Sequence, residues 1–399
     1  MRIFIIDSTI DEPFIGGGHL YLPGLAEGLV NKGHEVTVLV KGQPNDRVGK
    51  FFKNEVKILK GVWNKFDLAE RNAKKLAVFL NKEKPDVFFI SNSHEVGWLV
   101  LPLLSPEIAT CAIVHTDSDT YYNPIGHYKQ FLTAVIGVSP EVCDKLEKDI
   151  GVANERIFWV PYGVDGVGSL PDSVSGLPRL IYVGRLDSEQ KRSADLCKIY
   201  KGLRNHGLEC ELVVVGDGPL YGVMKQELNM FSDSVTFTGW IDKGEVLRRL
   251  RAAQLFLLTS EYEGFCIALV ESMANGCCPV VTDIESGNGF LVKDGENGYL
   301  VPVGDIDMFI NRIRELFNDP EKLKLFRTRS LQLGNQFNKE SMIRKYEATF
   351  LESIKKNSGS KREVMPSFPI MESCLSVYPF WMRRIKAMFK MAIGTLLVK

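Results

Sequence analysis

The most constraining feature of this chain is a regular alternation of short apolar runs with helical patterns, which occurs twice. In the first half, the apolar runs have the length of buried strands, and the segments between them have the apolar spacing of helices. This alternation predicts a parallel sheet covered by helices. The predicted strands are Ile3–Ile6, Glu35–Val40, Val87–Ser91, Cys111–Val114 and Ala134–Val138, with helices near Leu20–Lys32 and Leu68–Lys82.

The second half repeats the pattern, and a chain of 399 residues is too long for one ordinary core. We therefore predict an α/β fold with two Rossmann-like, doubly wound domains that face each other across a cleft. Ligands in such sheets bind at the carboxyl ends of the strands. The predicted strands are Leu180–Val183, Glu211–Val215, Val235–Thr238, Leu255–Leu258 and Val280–Thr282, with helices near Ser193–His206, Leu220–Asn229 and Lys243–Ala252.

The predicted boundaries follow the composition of the chain. The segment 166–178 is rich in Gly, Ser and Pro, which is typical of a linker. It separates an N-terminal, acceptor-side domain (1–165) from a C-terminal, nucleotide-sugar-binding domain (179–336); these two functional labels depend on the resemblance described below. A helix over 337–356 is expected to return toward the N-terminal domain, and a basic amphipathic tail covers 357–399.

Charge and cysteine usage exclude several classes of protein. The formal net charge is zero, which argues against nucleic acid as the main partner. The eight cysteines show no C-x-x-C spacing, so a zinc site is not expected and reduced core thiols are favoured. The chain begins with a strand rather than a signal peptide, and no apolar stretch is long enough to span a bilayer. These observations predict a cytoplasmic enzyme body.

Two carboxylates, Glu263 and Glu271, carry the strongest chemical signal, and seven residues lie between them. The segment leaves the strand Leu255–Leu258, turns at Glu263-Gly264 and then shows helical apolar spacing. On such a helix the two carboxylates would lie about two turns apart on roughly the same side. A helix N-terminus after a strand suits a phosphate, and carboxylates beside it suit sugar hydroxyls or an oxocarbenium ion. The segment therefore suggests sugar transfer from a nucleotide diphosphate.

Cations and glycines follow other predicted strands. Arg185, after Gly184, and Lys191 have the charge to clamp a diphosphate, although, taken alone, a pair of solvated surface cations is the favoured interpretation. The turn containing Gly216 and Gly218 would let backbone approach a nucleotide, or would be a plain strand-to-helix turn. A third glycine run precedes a helix and could carry phosphate or acceptor at the helix N-terminus. It consists of Gly16, Gly17 and Gly18.

His115 ends a predicted strand and is the candidate catalytic histidine, beside Glu263 as the candidate catalytic carboxylate. At a strand's carboxyl end it could contact a sugar hydroxyl, or it could hold a loop carbonyl. Asp117 and Asp119 follow it, but no third metal ligand is placed by the sequence, so a solvated acidic loop is favoured and no metal is expected. His19 and Asp117 are candidate acceptor contacts by position.

The order of these features resembles glycosyltransferase family 4, a group of retaining enzymes with the GT-B fold. The resemblance covers residues 1 to about 355 and is strongest in the second half. It implies that Arg185 and Lys191 bind the donor diphosphate, that Glu271 holds the ribose hydroxyls, and that Glu263 and His115 lie by the donor sugar. It also implies that no metal or other cofactor is needed, because cations and a helix N-terminus neutralise the leaving diphosphate. Backbone contacts to sugar or phosphate are implied for Gly264, Phe265, Cys266 and Ile267.

The resemblance implies a nucleotide-sugar donor, with UDP as the expected nucleotide, and a hydroxyl of a glycan or lipid-linked glycan as acceptor. This activity would belong to cell-envelope polysaccharide or glycolipid synthesis. Retention would proceed by same-face transfer, so Glu263 is not expected to be a nucleophile. One stretch departs from the family pattern: Ile284–Phe290 lacks the glutamate that similar enzymes carry there. Two alternatives stay open, namely a catalytically silent binding protein on this fold and another GT-B-like enzyme such as a nucleotide-sugar epimerase.

The tail predicts a second property. Over residues 380–397, Trp381, Phe389 and other apolar residues share one helical face, and Arg383, Lys386 and Lys390 share another. A cationic amphipathic helix of this kind suits an anionic membrane surface, which would make the enzyme peripheral on the inner face of the membrane. The alternative is a helix packed on its own domain or in a dimer contact.

Overall fold

The structure is a computed structural model. It describes residues 1–7, 17–40, 52, 55–60, 62, 67–92, 95–167, 169–170, 176–284 and 287–357, with the backbone alone for 17–20. Gly16 and the tail from residue 358 onward therefore lie outside the described residues, and so does the predicted amphipathic helix.

The first sheet is parallel, with strand order β3-β2-β1-β4-β5-β6-β7. Its central strand β1 is buried from Ile3 to Asp7, as expected for a strand covered by helices on both faces. The order reverses between β1 and β4, which creates a topological switch point at the carboxyl ends of these strands. The strands are β1 Arg2–Asp7, β2 Glu35–Val40, β3 Lys57–Lys60, β4 Val87–Asn92, β5 Ala109–Val114, β6 Ala134–Gly137 and β7 Ile157–Trp159.

The second sheet is also parallel, with order β10-β9-β8-β11-β12-β13, so its strand order reverses between β8 and β11. The prediction of two doubly wound α/β sheets is confirmed. The strands are β8 Arg179–Val183, β9 Glu211–Val215, β10 Val235–Gly239, β11 Leu255–Leu258, β12 Cys278–Asp283 and β13 Tyr299–Pro302.

The chain divides into two compact units, each built on one sheet. Among the described residues, the first contains those within Met1–Val138 and Cys143–Val160 and those from Ile343 to Asn357, and the second contains Ser139–Val142 and those within Pro161–Met342. Two helices, Pro140–Lys148 and Lys339–Asn357, are divided between the units by this partition.

Side-chain caps mark the start of several helices. In the second unit Asp242, Asp305 and Asp319 each cap a helix, because their carboxylates accept a backbone N–H of the first turn. The first unit contains the helices Gly17–Asn31, Ala69–Glu83, Val96–Leu99 and Asp119–Tyr128. The second unit contains Asp195–Asn205, Tyr221–Glu227, Lys243–Arg251, Ile267–Ala274, Asn288–Leu291, Ile306–Asn318 and Pro320–Gly334. Within the described ranges, no helix has both the length and the apolarity needed to cross a membrane.

Candidate active site

Two loops meet at the switch point of the second unit, one after β8 and one after β11. The backbone N–H of Glu261 donates to the carbonyl of Gln190 at 2.8 Å, and the Thr259 hydroxyl donates to the carbonyl of Lys191 at 2.8 Å. These hydrogen bonds hold the loop that carries the predicted diphosphate cations beside the loop that carries Glu263.

Lys191 and Glu263 form a buried ion pair at this point. The Lys191 Nζ lies 2.5 Å from Glu263 Oε1, which also accepts the Ser260 hydroxyl at 2.6 Å. Burial disfavours the charged ammonium, but the Glu263 carboxylate outweighs burial and raises the pKa of Lys191. The sequence assigned these two side chains to different parts of a donor, and the structure places them in contact.

Glu263 does not lie on the helix that carries Glu271, so that part of the sequence-based prediction is wrong. The helix begins at Ile267, and its preceding residue Cys266 has extended dihedral angles. Glu263 therefore occupies the loop, where Ser260 and Lys191 hold its carboxylate. Apolar spacing could not locate this helix start, because the loop residues Phe265 and Cys266 are buried, as Leu269 and Val270 are within the helix.

Glu271 lies within the helix Ile267–Ala274 and is also buried. Its Oε1 contacts the Nζ of Lys243, the first residue of the helix Lys243–Arg251. Lys243 was not singled out from the sequence, because a lysine in the first turn of a helix is ordinarily a solvated surface residue. The structure thus brings Glu271 together with a cation that comes from neither predicted diphosphate loop.

Arg185 is organised by Asp187 on its own loop. The Arg185 Nε lies 2.5 Å from Asp187 Oδ2, and its Nη2 donates to Gln190 at 3.2 Å. Burial disfavours the charged carboxylate, yet hydrogen bonds from the backbone N–H of Lys191 and from the Arg185 side chain lower the pKa of Asp187. Asp187 is a second residue that the sequence did not reveal, and it fixes the loop from which both predicted cations project.

Gly216 and Gly218, which follow β9, are required by close packing of the backbone. Gly216 has a φ of 135°, and a Cβ on it would collide with the carbonyl oxygen of Gly184. A Cβ on Gly218 would lie 2.5 Å from the carbonyl oxygen of Leu186. The loops after β8 and β9 therefore pack backbone against backbone, which explains Gly216 and Gly218 without a ligand.

The segment after β12, where the sequence departs from the family pattern, packs against the Glu263 loop. The Thr282 hydroxyl donates to the carbonyl of Ser260 at 2.6 Å, and Asn288 donates to the carbonyl of Thr282 at 3.0 Å. A Cβ on Gly287 would lie 3.0 Å from the carbonyl oxygen of Gly264. Close to this packing, burial raises the pKa of the Cys266 thiol to about 12, with a smaller contribution from Glu263, so the thiol is neutral.

The first unit holds a polar network at its own switch point. Asp7 ends β1, and the register between β1 and β4 shifts beside it. The Ser91 hydroxyl donates to Asp7 Oδ2 at 2.9 Å and lies 2.6 Å from the Tyr21 hydroxyl. Because Ser91 gives its proton to the carboxylate, Tyr21 donates to Ser91. Asp7 was missed from the sequence, and its position at the end of a central strand was the available signal.

His115 joins this network through the main chain of Ser91. Its Nε2 lies 2.9 Å from the Ser91 carbonyl oxygen, and because a carbonyl only accepts, Nε2 carries the proton. The rings of Tyr21 and Tyr121 contact the imidazole edge-on at 5.1 and 5.7 Å between centroids. His115 thus holds a main-chain carbonyl at the end of β4, close to the structural role that the sequence offered as one alternative, and its contact with a sugar hydroxyl stays a prediction.

The remaining predicted residues are dispersed. Asp117 Oδ1 lies 3.0 Å from the Nζ of Lys145. The same Nζ lies 5.0 Å from the centroid of the Tyr122 ring. Gly17, Gly18 and His19 belong to the first turn of the helix Gly17–Asn31. Throughout the described ranges, no group of three or more His, Cys, Asp or Glu side chains is arranged to hold a metal ion.

Comparison with known proteins agrees with this arrangement. The family model "Glycosyl transferases group 1" matches residues 172–332, and "Glycosyltransferase Family 4" matches residues 15–166. Two doubly wound domains that match these models define a glycosyltransferase with the GT-B fold. The chain belongs to glycosyltransferase family 4.

Relatives and solved structures lie at low identity. The chain is 24% identical over 275 residues to the poly(glycerol-phosphate) alpha-glucosyltransferase of Bacillus subtilis, a match that spans 65% of this chain and 40% of that protein. It is 25% identical over 330 residues to the phosphatidyl-myo-inositol mannosyltransferase of Mycolicibacterium smegmatis, spanning 77% and 82%. A mutant of Staphylococcus aureus TarM, solved with fondaparinux, alpha-GlcNAc-glycerol and UDP, superposes with a TM-score of 0.72 at 12% identity, covering 88% of this chain and 99% of TarM.

Proposed function

We propose that this glycosyltransferase moves a sugar from a UDP-sugar to a hydroxyl of a cell-envelope glycan or glycolipid, with retention of anomeric configuration. The observation that carries the proposal is the pairing of Lys191 with Glu263 at the switch point between β8 and β11. Ligands of doubly wound sheets bind at this position. A cation and a carboxylate there suit the two ends of a sugar diphosphate.

The names of similar proteins support the choice of substrates. The Bacillus subtilis relative acts on poly(glycerol phosphate), the mycobacterial one on phosphatidyl-myo-inositol, and TarM was solved with UDP. The first is named an alpha-glucosyltransferase, and an α product from an α-linked nucleotide sugar is what retention yields.

The proposed reaction breaks the bond between C1 of the sugar and the β-phosphate oxygen. The acceptor oxygen forms the new bond to C1 on the same face, and its proton passes to the departing phosphate. Arg185 and Lys191 would neutralise the diphosphate as charge develops on it. Hydrogen bonds from Ser260 and Lys191 hold the Glu263 carboxylate in place. Its role would be to accept hydrogen bonds from hydroxyls of the donor sugar. Glu271 would bind the ribose.

UDP release from a panel of UDP-sugars, with a poly(glycerol phosphate) or phospholipid acceptor, tests the proposal. We expect one donor to be turned over and its product to show an α-configured C1 by NMR. Glu263→Ala should retain UDP binding and lose about 10²-fold or more in kcat. Glu261→Ala is the matched control, because this neighbouring carboxylate is exposed and pairs with Arg192. UDP binding by the wild-type enzyme without any turnover would favour a silent binding protein, and a β product would exclude retention.

A further inference from the structure

The carboxylate of Glu271 has one oxygen engaged and one available. Lys243 contacts Oε1, and within the described residues no side chain or backbone donor bonds to Oε2. The side chain of Glu271 is only 9% exposed, so its charge depends on this partner. The contact therefore fixes the orientation of the carboxylate as well as its charge.

Lys243 is itself held in place. The preceding residue, Asp242, caps the helix by accepting the backbone N–H of Glu245 at 3.0 Å, which fixes the first turn that carries Lys243. Asp165 and Lys339, paired at 2.7 Å, act electrostatically on Lys243 with opposite signs. Burial lowers the pKa of Lys243 to about 8, while the Asp165 carboxylate opposes this shift and the Lys339 ammonium adds to it.

We propose that Lys243 is a positioning residue for the nucleotide ribose: it binds Oε1 of Glu271 and thereby presents Oε2 to one of the two ribose hydroxyls. This inference rests on the proposed function, in which Glu271 binds ribose. A carboxylate offers several lone pairs, so it accepts the lysine and a hydroxyl together. Without the lysine the carboxylate would still be present but would no longer be held in one orientation.

Nucleotides that lack one ribose hydroxyl provide the test. Dissociation constants are measured by calorimetry for UDP, 2′-deoxy-UDP and 3′-deoxy-UDP with wild type, Lys243→Met, Lys243→Arg and Lys339→Met. Wild type should bind UDP about tenfold to a hundredfold more tightly than one of the deoxy nucleotides, as expected for a hydrogen bond to a charged group. Lys243→Met should lose most of this discrimination, whereas Lys243→Arg retains it. Lys339→Met, which removes a charge beside Lys243 without touching Glu271, should behave as wild type.

Each outcome bears on the proposal. If Lys243→Met weakens all three nucleotides by the same factor, Lys243 acts as a charge for the diphosphate and the positioning role is wrong. Undiminished discrimination in Lys243→Met also overturns it. Should that variant fail to fold, Lys243→Gln, whose shorter side chain keeps a donor but no charge, takes its place with the same expected loss. Wild-type enzyme that binds no UDP would contradict the proposed donor instead, so the two failures are distinguishable.

Discussion

The two sheets share one strand order around their central strands, so the chemistry at their switch points can be compared directly. In the second unit the loops after β8 and β11 bring Lys191 and Glu263 into contact, and Arg185 lies on the loop after β8 with Lys191. In the first unit the ends of β1 and β4 hold Asp7 and Ser91, and hydroxyl groups, a main-chain carbonyl and an imidazole dominate. One fold thus provides the same position twice with different chemistry.

The difference indicates a division of labour. Cations are suited to a diphosphate, which carries full charges that must be neutralised as the sugar leaves. An imidazole with one nitrogen fixed on a carbonyl is suited to a neutral hydroxyl, because in its neutral form the other nitrogen is a hydrogen-bond acceptor. The following predictions test whether the two networks have these separate roles.

The largest effect is expected for Lys191→Met. This change leaves the buried Glu263 carboxylate without its cation, which should cost about 3–5 kcal/mol in the free energy of unfolding measured with urea. The rate of transfer should fall about 10²- to 10³-fold, because a group that stabilises the leaving diphosphate is lost.

The double variant Lys191→Met/Glu263→Gln separates the two effects. It removes both buried charges, so stability should return close to wild type while activity stays low. Recovery of activity in the double variant would show that Lys191 serves only to neutralise Glu263. Lys198→Met, a change at an exposed lysine that pairs with Asp195, is the control for loss of one positive charge.

The strands of the two sheets show how much of the fold could be predicted from the sequence. Both sheets were predictable because their central strands are continuous apolar runs separated by helical patterns. Strands β3, β7 and β13 were not predicted, and each lies at the edge of a sheet: β3 is half-exposed, and β7 is three residues long. β3 has a lysine at each end and β7 is very short, so neither gives a periodic apolar pattern that is long enough to identify a strand.

The site residues that were predicted belong to local motifs, and those that were missed are recognised only through contacts between distant segments. Glu263, Glu271, Arg185 and Lys191 were found from local motifs after strands. Lys243 was not, because its contact with Glu271 joins two helices, and neither segment records the other. The end of a central strand was the available signal for Asp7, but its hydrogen bond with Ser91 joins two strands that are far apart in the sequence, and neither segment records the other. The roles assigned to all these residues stay predictions.

An intermediate effect is expected for His115→Ala. If His115 contacts the donor sugar or the reacting groups, kcat should fall about 10²-fold or more while the dissociation constant for UDP is unchanged. The matched control is His206→Ala, because His206 is exposed at the end of a helix of the second unit. Equal losses in UDP binding and in kcat would contradict the division of labour, since the first unit would then act on the nucleotide.

The smallest effect is expected in the first unit and concerns the decrease of the free energy of unfolding at alkaline pH. Burial, reinforced by the negative charge of Asp7, raises the pKa of Tyr121 to about 12 from 10.0, while a hydrogen bond with Asn92 opposes the shift. Between these two values the folded state holds the phenol proton more tightly than the unfolded state does, so stability is lost as pH rises. At pH 11 this loss is about 1.4 kcal/mol relative to neutral pH.

Tyr121→Phe should remove this contribution. The free energy of unfolding is measured with urea at pH 8 and at pH 11. Between these two pH values it should fall by about 1.4 kcal/mol less in the variant than in wild type. Asp7→Asn should remove only part of it, because burial acts without the charge of Asp7. If Tyr121→Phe has the same pH dependence as wild type, Tyr121 ionises as a solvated phenol and the network around His115 is more open than the packing of these rings indicates.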